Sequence, residues 1–290
     1  MLKIIAKIFG CEIEDIKDIE PLKKGMTNTS FIFGICGGEG RYIIRIPGKG
    51  TDRLINRRQE YNVYAQIMPL GFCDDIVYIC PDTGYKTTKF WEGARVCNAA
   101  SDADRAKCMK LLRDFHKRAL TVKHEFCPFE RIEFYEDLWQ GKPSRYADYA
   151  ATKANIISLK PYIDNSPKER VLSHIDAVHD NFIFLPNGEL RLIDWEYSAM
   201  QDPHIDIAMF IVYAMHSRAQ ADKLIDHYFT EGCPPYTRRK IYAYIAICGL
   251  LWSNWCEFKM HLSEDFGEYA AAQYNFAREF FVIFKEANDA

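Results

Sequence analysis

A predicted β-hairpin inside an otherwise helical stretch is the feature that most constrains the fold of this chain. Two apolar runs, 181–185 and 189–193, flank the tripeptide Pro186-Asn187-Gly188, and Asn-Gly between such runs is a strong hairpin signal. If Asn-Gly forms a two-residue loop, Asn181 faces Asp194; a three-residue loop shifts the pairing by one and leaves them neighbours. Opposed residues have Cβ atoms about 4.5–5.5 Å apart, so one hard cation could contact both side chains.

A carboxylate precedes this hairpin at a distinctive spacing. Asp176 lies within His174-x-Asp176-x-x-x-x-Asn181, and Asp194-Trp195-Glu196 follows the second strand. The spacing is similar to that of the protein-kinase catalytic loop, in which Asp handles the substrate hydroxyl and Asn holds Mg²⁺. Each residue alone is more often ordinary turn chemistry. Together they favour phosphoryl transfer, which needs cations to neutralise phosphates and a carboxylate to orient a hydroxyl.

Composition excludes several other classes of protein. The 37 Lys and Arg against 40 Asp and Glu give a net charge of -3, so the chain lacks the basic excess of a nucleic-acid-binding protein. The 10 cysteines include no C-x-x-C pair, so we expect reduced thiols rather than a structural zinc site.

The apolar segments do not predict membrane insertion. Residues 1–9 mix Lys into a short apolar run without a small-residue cleavage site, so no secretory signal is predicted. The longest uncharged run, 241–256, falls short of the roughly 20 residues that span a bilayer. We therefore expect a buried helix at 241–256 and a cytoplasmic protein.

The first ninety or so residues read as β-rich and the rest as helical. Short runs rich in Ile, Phe and Tyr, joined by a Gly-rich connection, predict a hairpin in this first part. The predicted elements are a hairpin of 31–35 with 41–47, strands at 75–80 and 85–90, and a helix at 53–68.

Beyond Gly93 the pattern becomes helical. Ser101 is a predicted N-cap for a helix with apolar residues at helical spacing. We expect an α+β chain with a small β-rich lobe at 1–91 and a larger helical lobe at 92–290.

Several sequence strings resemble the choline/ethanolamine kinase family, within the aminoglycoside-phosphotransferase branch of the protein-kinase-like superfamily, and most resemble its bacterial LicA-type choline kinases. The resemblance implies a bilobal fold with a small antiparallel β-sheet lobe and a larger helical lobe. The matching strings are Gly25-Met-Thr-Asn-Thr-Ser30, Arg41-Tyr-Ile-Ile-Arg-Ile-Pro-Gly-Lys-Gly50, His174 to Asn181, Leu192-Ile-Asp-Trp-Glu-Tyr197, Asp206-Ile-Ala208 and Trp252-Ser-Asn-Trp255.

The resemblance implies roles for residues in the hairpin segment. Asp176 would be the catalytic base, and Asn181 and Asp194 would be ligands of Mg²⁺, with ATP as the co-substrate.

For the nucleotide, the resemblance implies that Arg45 takes the place of the kinase strand lysine, with Glu60 as its ion-pair partner. An Arg can hold a phosphate and a carboxylate through its fork. An exposed strand Arg and a solvated Glu are the alternatives.

Two further segments complete the implied nucleotide site. Met26, Thr27 and Asn28 would cap the phosphates, and Lys89 to Trp91 would be the hinge where backbone groups meet adenine. The alternative for Met26 to Asn28 is a simple turn between strands, and the alternative for Lys89 to Trp91 is a plain linker.

The resemblance also implies an acceptor site for choline. Trp252 and Trp255 lie on one side of a predicted helix, and aromatic faces attract a quaternary ammonium; core packing is the alternative. The implied acceptor residues are Asp176, Glu196, Tyr197, Tyr213, Trp252, Trp255 and Tyr269. Glu196 could instead be structural, and Asp206 could cap a helix at 207–216.

Three functions remain open from the sequence. The first is phosphorylation of choline to phosphocholine. The second is a kinase of the same fold acting on ethanolamine, thiamine or an aminoglycoside. The third is a non-catalytic pseudokinase that binds quaternary amines. The intact Asp176, Asn181 and Asp194 favour an enzyme.

Overall fold

The computed structural model describes residues 1–22, 28–48, 51–262 and 266–287. The chain forms two compact units: unit 1 comprises Met1–Cys97 and Asp180–Ser198, and unit 2 comprises Asn98–His179 and Ala199–Ala290. The lobe boundary between residues 91 and 92 stays a prediction. These units divide at residue 97, and the 180–198 segment belongs to unit 1.

Unit 1 is built on a five-stranded antiparallel sheet with the order β1-β2-β3-β5-β4. The predicted hairpin and both further strands are present, which confirms the β-rich first part. The strands are β1 Ile16–Leu22, β2 Asn28–Ile35, β3 Arg41–Pro47, β4 Ile76–Ile79 and β5 Lys86–Lys89.

Two helices pack on this sheet, α1 Leu2–Phe9 and α2 Arg57–Ile67. Alternation along β3 explains the arrangement, because neighbouring strand residues point to opposite faces. Ile44 packs against Ile5 of α1, whereas the next residue, Arg45, binds Glu60 of α2. The sheet thus has an apolar face under α1 and a charged face under α2.

Helix α2 begins four residues later than predicted. The side chain of Asn56 accepts hydrogen bonds from the backbone N–H of Arg58 at 3.1 Å and of Gln59 at 3.2 Å. Such an N-cap satisfies donors that have no partner inside the helix. The preceding turn, Thr51–Arg53, is a separate 3-10 turn.

The second predicted hairpin is also present in unit 1, but its register differs from the two-residue-loop prediction. Strand β8 (Phe182–Phe184) pairs with β9 (Leu190–Leu192) and with β6 (Arg95–Val96). Phe182 lies opposite Leu192, so the loop has three residues.

The loop chemistry explains this difference. Gly188 has φ 86° and its N–H donates to the carbonyl of Leu185 at 3.0 Å, and a glycine in the left-handed region is typical of three-residue hairpin loops. Asn181 consequently lies opposite Ile193, whose N–H donates to the Asn181 carbonyl at 2.9 Å. The two-residue-loop prediction that Asn181 faces Asp194 was wrong by one residue, and the three-residue alternative is confirmed: Asp194 follows Ile193, the residue opposite Asn181.

Unit 2 is mostly helical, which with the sheet of unit 1 confirms the α+β class. Ser101 caps its first helix through the N–H of Asp104, as predicted. The elements are α3 Asp102–His116, α4 Pro128–Asp137, α5 Tyr149–Ile157, α6 Lys160–Asn165, β7 Val171–Ser173, β10 Ala199–Gln201, α7 His204–Tyr213, α8 Arg218–Tyr228, α9 Pro235–Met260 and α10 Gly267–Glu286. Strands β7 and β10 form a two-stranded antiparallel sheet.

Helix α9 is the central buried helix of unit 2. It contains the uncharged run 241–256, which is buried as predicted. Gly249 allows α10 to approach closely, because a Cβ there would lie 2.7 Å from the backbone nitrogen of Ala277. In the part of the chain that the structure describes, no helix combines the length and apolar character needed to cross a membrane.

Candidate active site

The segment before Asp176 has a constrained backbone. His174 is fully buried, and Ile175 has φ 70°, a left-handed conformation that costs a β-branched residue about 1–3 kcal/mol. The N–H groups of His174 and Ile175 donate to Oδ2 and Oδ1 of Asp206 at 2.8 and 2.7 Å. These charge-assisted bonds offset the strain and fix the backbone from which the half-buried Asp176 projects.

Asp206 is further connected to two helices of unit 2. Its Oδ2 lies 2.9 Å from Nε2 of His116, and Nδ1 of His116 lies 2.9 Å from the Tyr228 hydroxyl. Asp206 is not a helix cap, because α7 begins at His204, whose N–H donates to Asp202. Sequence analysis missed His116, since no local pattern relates it to Asp206.

The two predicted metal ligands lie at one end of the β8–β9 hairpin in unit 1. Asn181 ends a 3-10 turn, and Asp194 follows β9 with φ 66°. Asp194 Oδ1 is buried without a hydrogen-bond partner among the described residues, and the Arg45 Nη1 atom lies 3.6 Å away. Burial and then the charge of Glu196 raise the pKa of Asp194 to about 7, against the opposing charges of Lys86 and Arg45.

A hard cation fits this position. The carboxylates of Glu60, Asp194 and Glu196 have oxygens within 4.8 Å of one another. Glu60 and Glu196 already bind arginines, so the orphaned oxygen of Asp194 is the one available to an ion. Carboxylate and amide oxygens are the ligands that Mg²⁺ prefers. Asp194, with the side chain of Asn181, would hold it.

The predicted ion pair of Arg45 and Glu60 is present in unit 1. Arg45 Nη1 and Nη2 donate to Glu60 Oε1 and Oε2 at 2.5 and 2.9 Å, and both side chains are buried. Burial alone would lower the pKa of Arg45, but the charge and hydrogen bonds of Glu60 outweigh it and raise that pKa. Burial would raise the pKa of Glu60, but Arg45 lowers it. Both groups are therefore charged.

The predicted phosphate cap lies partly outside the described residues, which exclude Met26 and Thr27. Asn28 is described and buried. Its Nδ2 donates to Glu196 Oε2 at 2.9 Å, and its Oδ1 accepts from Arg57 Nη2 at 3.1 Å. Asn28 is thus bound into an internal network, and its contact with phosphate stays a prediction.

Glu196, predicted for the acceptor, belongs to the same network in unit 1. It accepts from Arg57 Nη1 at 2.8 Å and from Arg45 Nη1 at 3.3 Å. These contacts are those of a structural carboxylate, which was the alternative for Glu196. Tyr197 follows it in the chain and is half-buried; its acceptor role stays a prediction.

A second buried ion pair, also missed from the sequence, lies opposite Arg45 on the sheet. Lys86 pairs with Arg45 across β3 and β5, and its Nζ binds Asp74 Oδ2 at 2.9 Å and the Tyr64 hydroxyl at 2.6 Å. Adjacent cations on a sheet repel each other, so Glu60 and Asp74 each neutralise one of them.

The predicted hinge residues bind the same loop residue. Lys89 is exposed and its N–H donates to the carbonyl of Asp75 at 3.0 Å. Trp91 Nε1 donates to the Asp75 side chain at 3.0 Å. Contact of this segment with adenine stays a prediction.

Both predicted cage tryptophans lie inside unit 2. Trp252 is 6% exposed and Trp255 is 1% exposed. Their rings meet edge to face with centroids 5.7 Å apart, and Trp252 Nε1 donates to Met209 Sδ at 3.1 Å. Trp255 also packs against Phe266 at 5.2 Å. These contacts are those of core residues, which was the alternative for both tryptophans. The role of Trp252 and Trp255 in a choline cage stays a prediction.

The predicted acceptor tyrosines of unit 2 contact each other. Tyr213 and Tyr269 meet edge to face with centroids 5.8 Å apart, and the ring of His179 lies 5.1 Å from that of Tyr213. Burial, and then the charges of Cys256, Tyr213 and Asp176, raise the pKa of Tyr269 well above its usual value. His179, Tyr213 and Tyr269 thus form an aromatic cluster in unit 2, the unit that also contains Asp176. Sequence analysis did not assign His179 to it.

Comparisons with known proteins find relatives by both sequence and fold. The sequence profile of the choline/ethanolamine kinase family matches residues 19–222. Protein LicA of Haemophilus influenzae is 27% identical over 260 residues, covering 85% of this chain and 75% of that protein. The crystal structure of the choline kinase LicA from Streptococcus pneumoniae has a TM-score of 0.83 at 30% identity, covering 97% of this chain and 98% of that chain.

A crystal structure of LicA in complex with AMP gives a TM-score of 0.82, also at 30% identity and with 97% of this chain and 98% of that chain covered. The expected protein-kinase-like fold class is confirmed by these structures. The family profile covers well over half of the chain, and the structural match extends over nearly all of it. The chain therefore belongs to the choline/ethanolamine kinase family and is a kinase.

Proposed function

We propose that this kinase transfers the terminal phosphate of ATP to the hydroxyl of choline and releases phosphocholine and ADP. Membership of the family supports a nucleotide and a small alcohol as substrates. A related LicA has been crystallised with AMP, which supports a nucleotide site. The observation that carries the choline assignment is the aromatic cluster in the same unit as Asp176, in which the Tyr213 ring lies 5.1 Å from that of His179 and 5.8 Å from that of Tyr269.

Asp176 is the proposed catalytic base. It orients the acceptor hydroxyl and accepts its proton as the oxygen attacks phosphorus, which is the role of the carboxylate in this type of loop. The backbone N–H groups of His174 and Ile175 donate to Asp206, which fixes the backbone from which Asp176 projects. Fixed position matters because the base must lie within hydrogen-bond reach of the proton that it accepts.

The charged side chains of unit 1 are the proposed phosphate and metal site. Arg45 would bind phosphate oxygens, and Asn181 and Asp194 would hold Mg²⁺. When bound, Mg²⁺ supplies positive charge that neutralises the phosphate oxygens. The raised pKa of Asp194 supports this assignment, because a carboxylate that is costly to ionise alone is stabilised by a cation.

Choline is favoured over other acceptors by the chemistry of the cluster. A trimethylammonium group donates no N–H hydrogen bonds, so aromatic faces are a natural way to hold it. The ring contacts of Tyr213 with His179 and Tyr269 provide such faces. An aminoglycoside carries several ammonium groups and would call for clustered carboxylates.

The test is ADP release with Mg-ATP, measured in parallel against choline, ethanolamine, thiamine and kanamycin. We expect choline-dependent turnover well above the other three. Faster turnover with another acceptor would overturn the choline assignment and retain the kinase. A folded protein that binds choline but releases no ADP with any acceptor would overturn the catalytic assignment and favour a pseudokinase.

A further inference from the structure

Arg57 lies at the centre of the buried charge network of unit 1. Its Nη1 donates to Glu60 Oε2 at 2.9 Å and to Glu196 Oε2 at 2.8 Å, and its Nη2 donates to Asn28 at 3.1 Å. One guanidinium thus joins a helix, the segment after β9 and the start of β2.

The surrounding backbone is shaped to accept this side chain. Gly84 has φ 70°, and a Cβ there would lie 2.7 Å from both Cδ and Nε of Arg57. The Gly84 carbonyl accepts from Arg45 Nη2 at 2.9 Å. The same turn therefore makes room for Arg57 and holds Arg45.

The charges of the network balance in pairs. Arg45 and Arg57 are two cations, and Glu60 and Glu196 are two carboxylates, each bound by both arginines. A buried carboxylate that loses its only cationic partner is strongly destabilised. Because Arg57 contacts both carboxylates, Arg45 can turn towards a phosphate without leaving either one unpaired.

We propose that Arg57 is a positioning residue for nucleotide binding. Its positive charge neutralises Glu60 and Glu196 and thereby makes the guanidinium of Arg45 available to the nucleotide phosphates. It also donates to Asn28, the last residue of the predicted phosphate cap, whose own side chain donates to Glu196. This inference rests on the proposed function, which assigns Arg45 to the phosphates.

The first variant is Arg57→Gln, which leaves Arg45 as the only guanidinium for two buried carboxylates. Arg45 must then neutralise Glu196 and Glu60 alone, so it is less available to phosphate, and we expect ADP affinity to fall about tenfold or more. The KM for ATP should rise by a similar factor while the KM for the acceptor is unchanged. A general loss of structure would shift both KM values.

The second variant restores the charge balance. Glu196→Gln combined with Arg57→Gln again gives one guanidinium and one carboxylate, so ADP affinity should recover most of the loss. A nucleotide contact made by Arg57 itself would give no recovery. Arg58→Gln is the matched control, because Arg58 is 71% exposed and pairs with Asp82 at the surface; its ADP affinity should match the wild type.

ADP affinity is measured by titration calorimetry without acceptor, together with the melting temperature of each variant. Arg45→Gln is included to test the proposed function separately. If Arg45→Gln binds ADP as the wild type does, the phosphate assignment is wrong and the inference with it. If Arg45→Gln binds weakly but Arg57→Gln binds normally, the inference alone is wrong. If Arg57→Gln does not fold, the folded double variant decides: wild-type-like affinity supports the inference and weak affinity overturns it.

Discussion

Oδ1 of Asp206 lies 2.7 Å from the backbone nitrogen of Ile175, the residue directly before Asp176. Ile175 is in the left-handed region, so this bond holds a backbone that would otherwise relax. Asp206 is fully buried and also binds the N–H of His174 and the ring of His116. The carboxylate therefore joins the proposed catalytic segment to the helical core of unit 2.

Replacing Asp206 should damage both stability and turnover. Asp206→Asn removes the charge and one acceptor, so we expect the free energy of unfolding to fall by about 2 kcal/mol or more, and kcat to fall with it. Urea unfolding and steady-state kinetics measure the two effects. Asp164→Asn is the control, because Asp164 pairs with Lys160 at the surface of the same unit and such pairs contribute about 0–1 kcal/mol. Equal losses in the two variants would contradict the anchoring role.

Replacing Asp176 should affect chemistry alone. Asp176→Asn keeps the size of the side chain but cannot accept the hydroxyl proton, so we expect kcat to fall by roughly 10²–10⁴-fold. ADP affinity and melting temperature should remain near those of the wild type. Asp180→Asn, an exposed carboxylate four residues later, is the matched control and should keep its turnover. Near-normal turnover of Asp176→Asn would show that another group is the base.

Local patterns were sufficient for part of this structure. A Gly-rich connection between runs rich in Ile, Phe and Tyr predicted the β2–β3 hairpin, and the N-cap chemistry of Ser101 predicted the start of α3. The register of β8 and β9 was left open between a two-residue and a three-residue loop, because the number of loop residues depends on the backbone angle at Gly188; the three-residue loop is the one observed. Composition alone does not specify that angle.

Long-range contacts were beyond such patterns. Arg57 and Glu196 are 139 positions apart, and His116 and Asp206 are 90 apart, so neither pair leaves a local periodic signal. The pairing of Arg45 with Glu60 was predicted only through resemblance to a family. Likewise, two tryptophans at i and i+3 indicate one helix face but not whether that face is core or binding site.

The pH dependence of the unfolding free energy should show the contribution of His216. Burial, and then the positive charges of Arg105 and His179, lower the pKa of His216 from 6.5 to about 4. Between these values the unfolded state takes up a proton that the native state does not, so stability falls as pH falls through this window. His216→Phe removes the group, and its urea-unfolding free energy should depend less on pH between about 4.5 and 6.5.

Measurements at higher pH are the control for the comparison of wild type with His216→Phe. Above about pH 7.5 His216 is neutral in both native and unfolded states, so the stability difference between wild type and His216→Phe should be constant there. On acidification the difference should shift in favour of the variant. Parallel pH profiles of the two proteins down to about pH 4.5 would show that His216 does not carry this dependence.

Tyr213 is the sharpest test of the proposed acceptor site, because it is half-buried and contacts His179 and Tyr269. Loss of one aromatic face from a cation site costs about 0.5–2 kcal/mol, so Tyr213→Ala should raise the KM for choline about 2- to 30-fold with little change in the KM for ATP. Tyr213→Phe keeps the ring and should resemble the wild type. Tyr236→Ala, at a tyrosine that is 57% exposed in the same unit, is the control. If folded Tyr213→Ala keeps the wild-type KM for choline, its ring is not part of the acceptor site; a rise in Tyr213→Phe as large as in Tyr213→Ala would instead assign the effect to the hydroxyl.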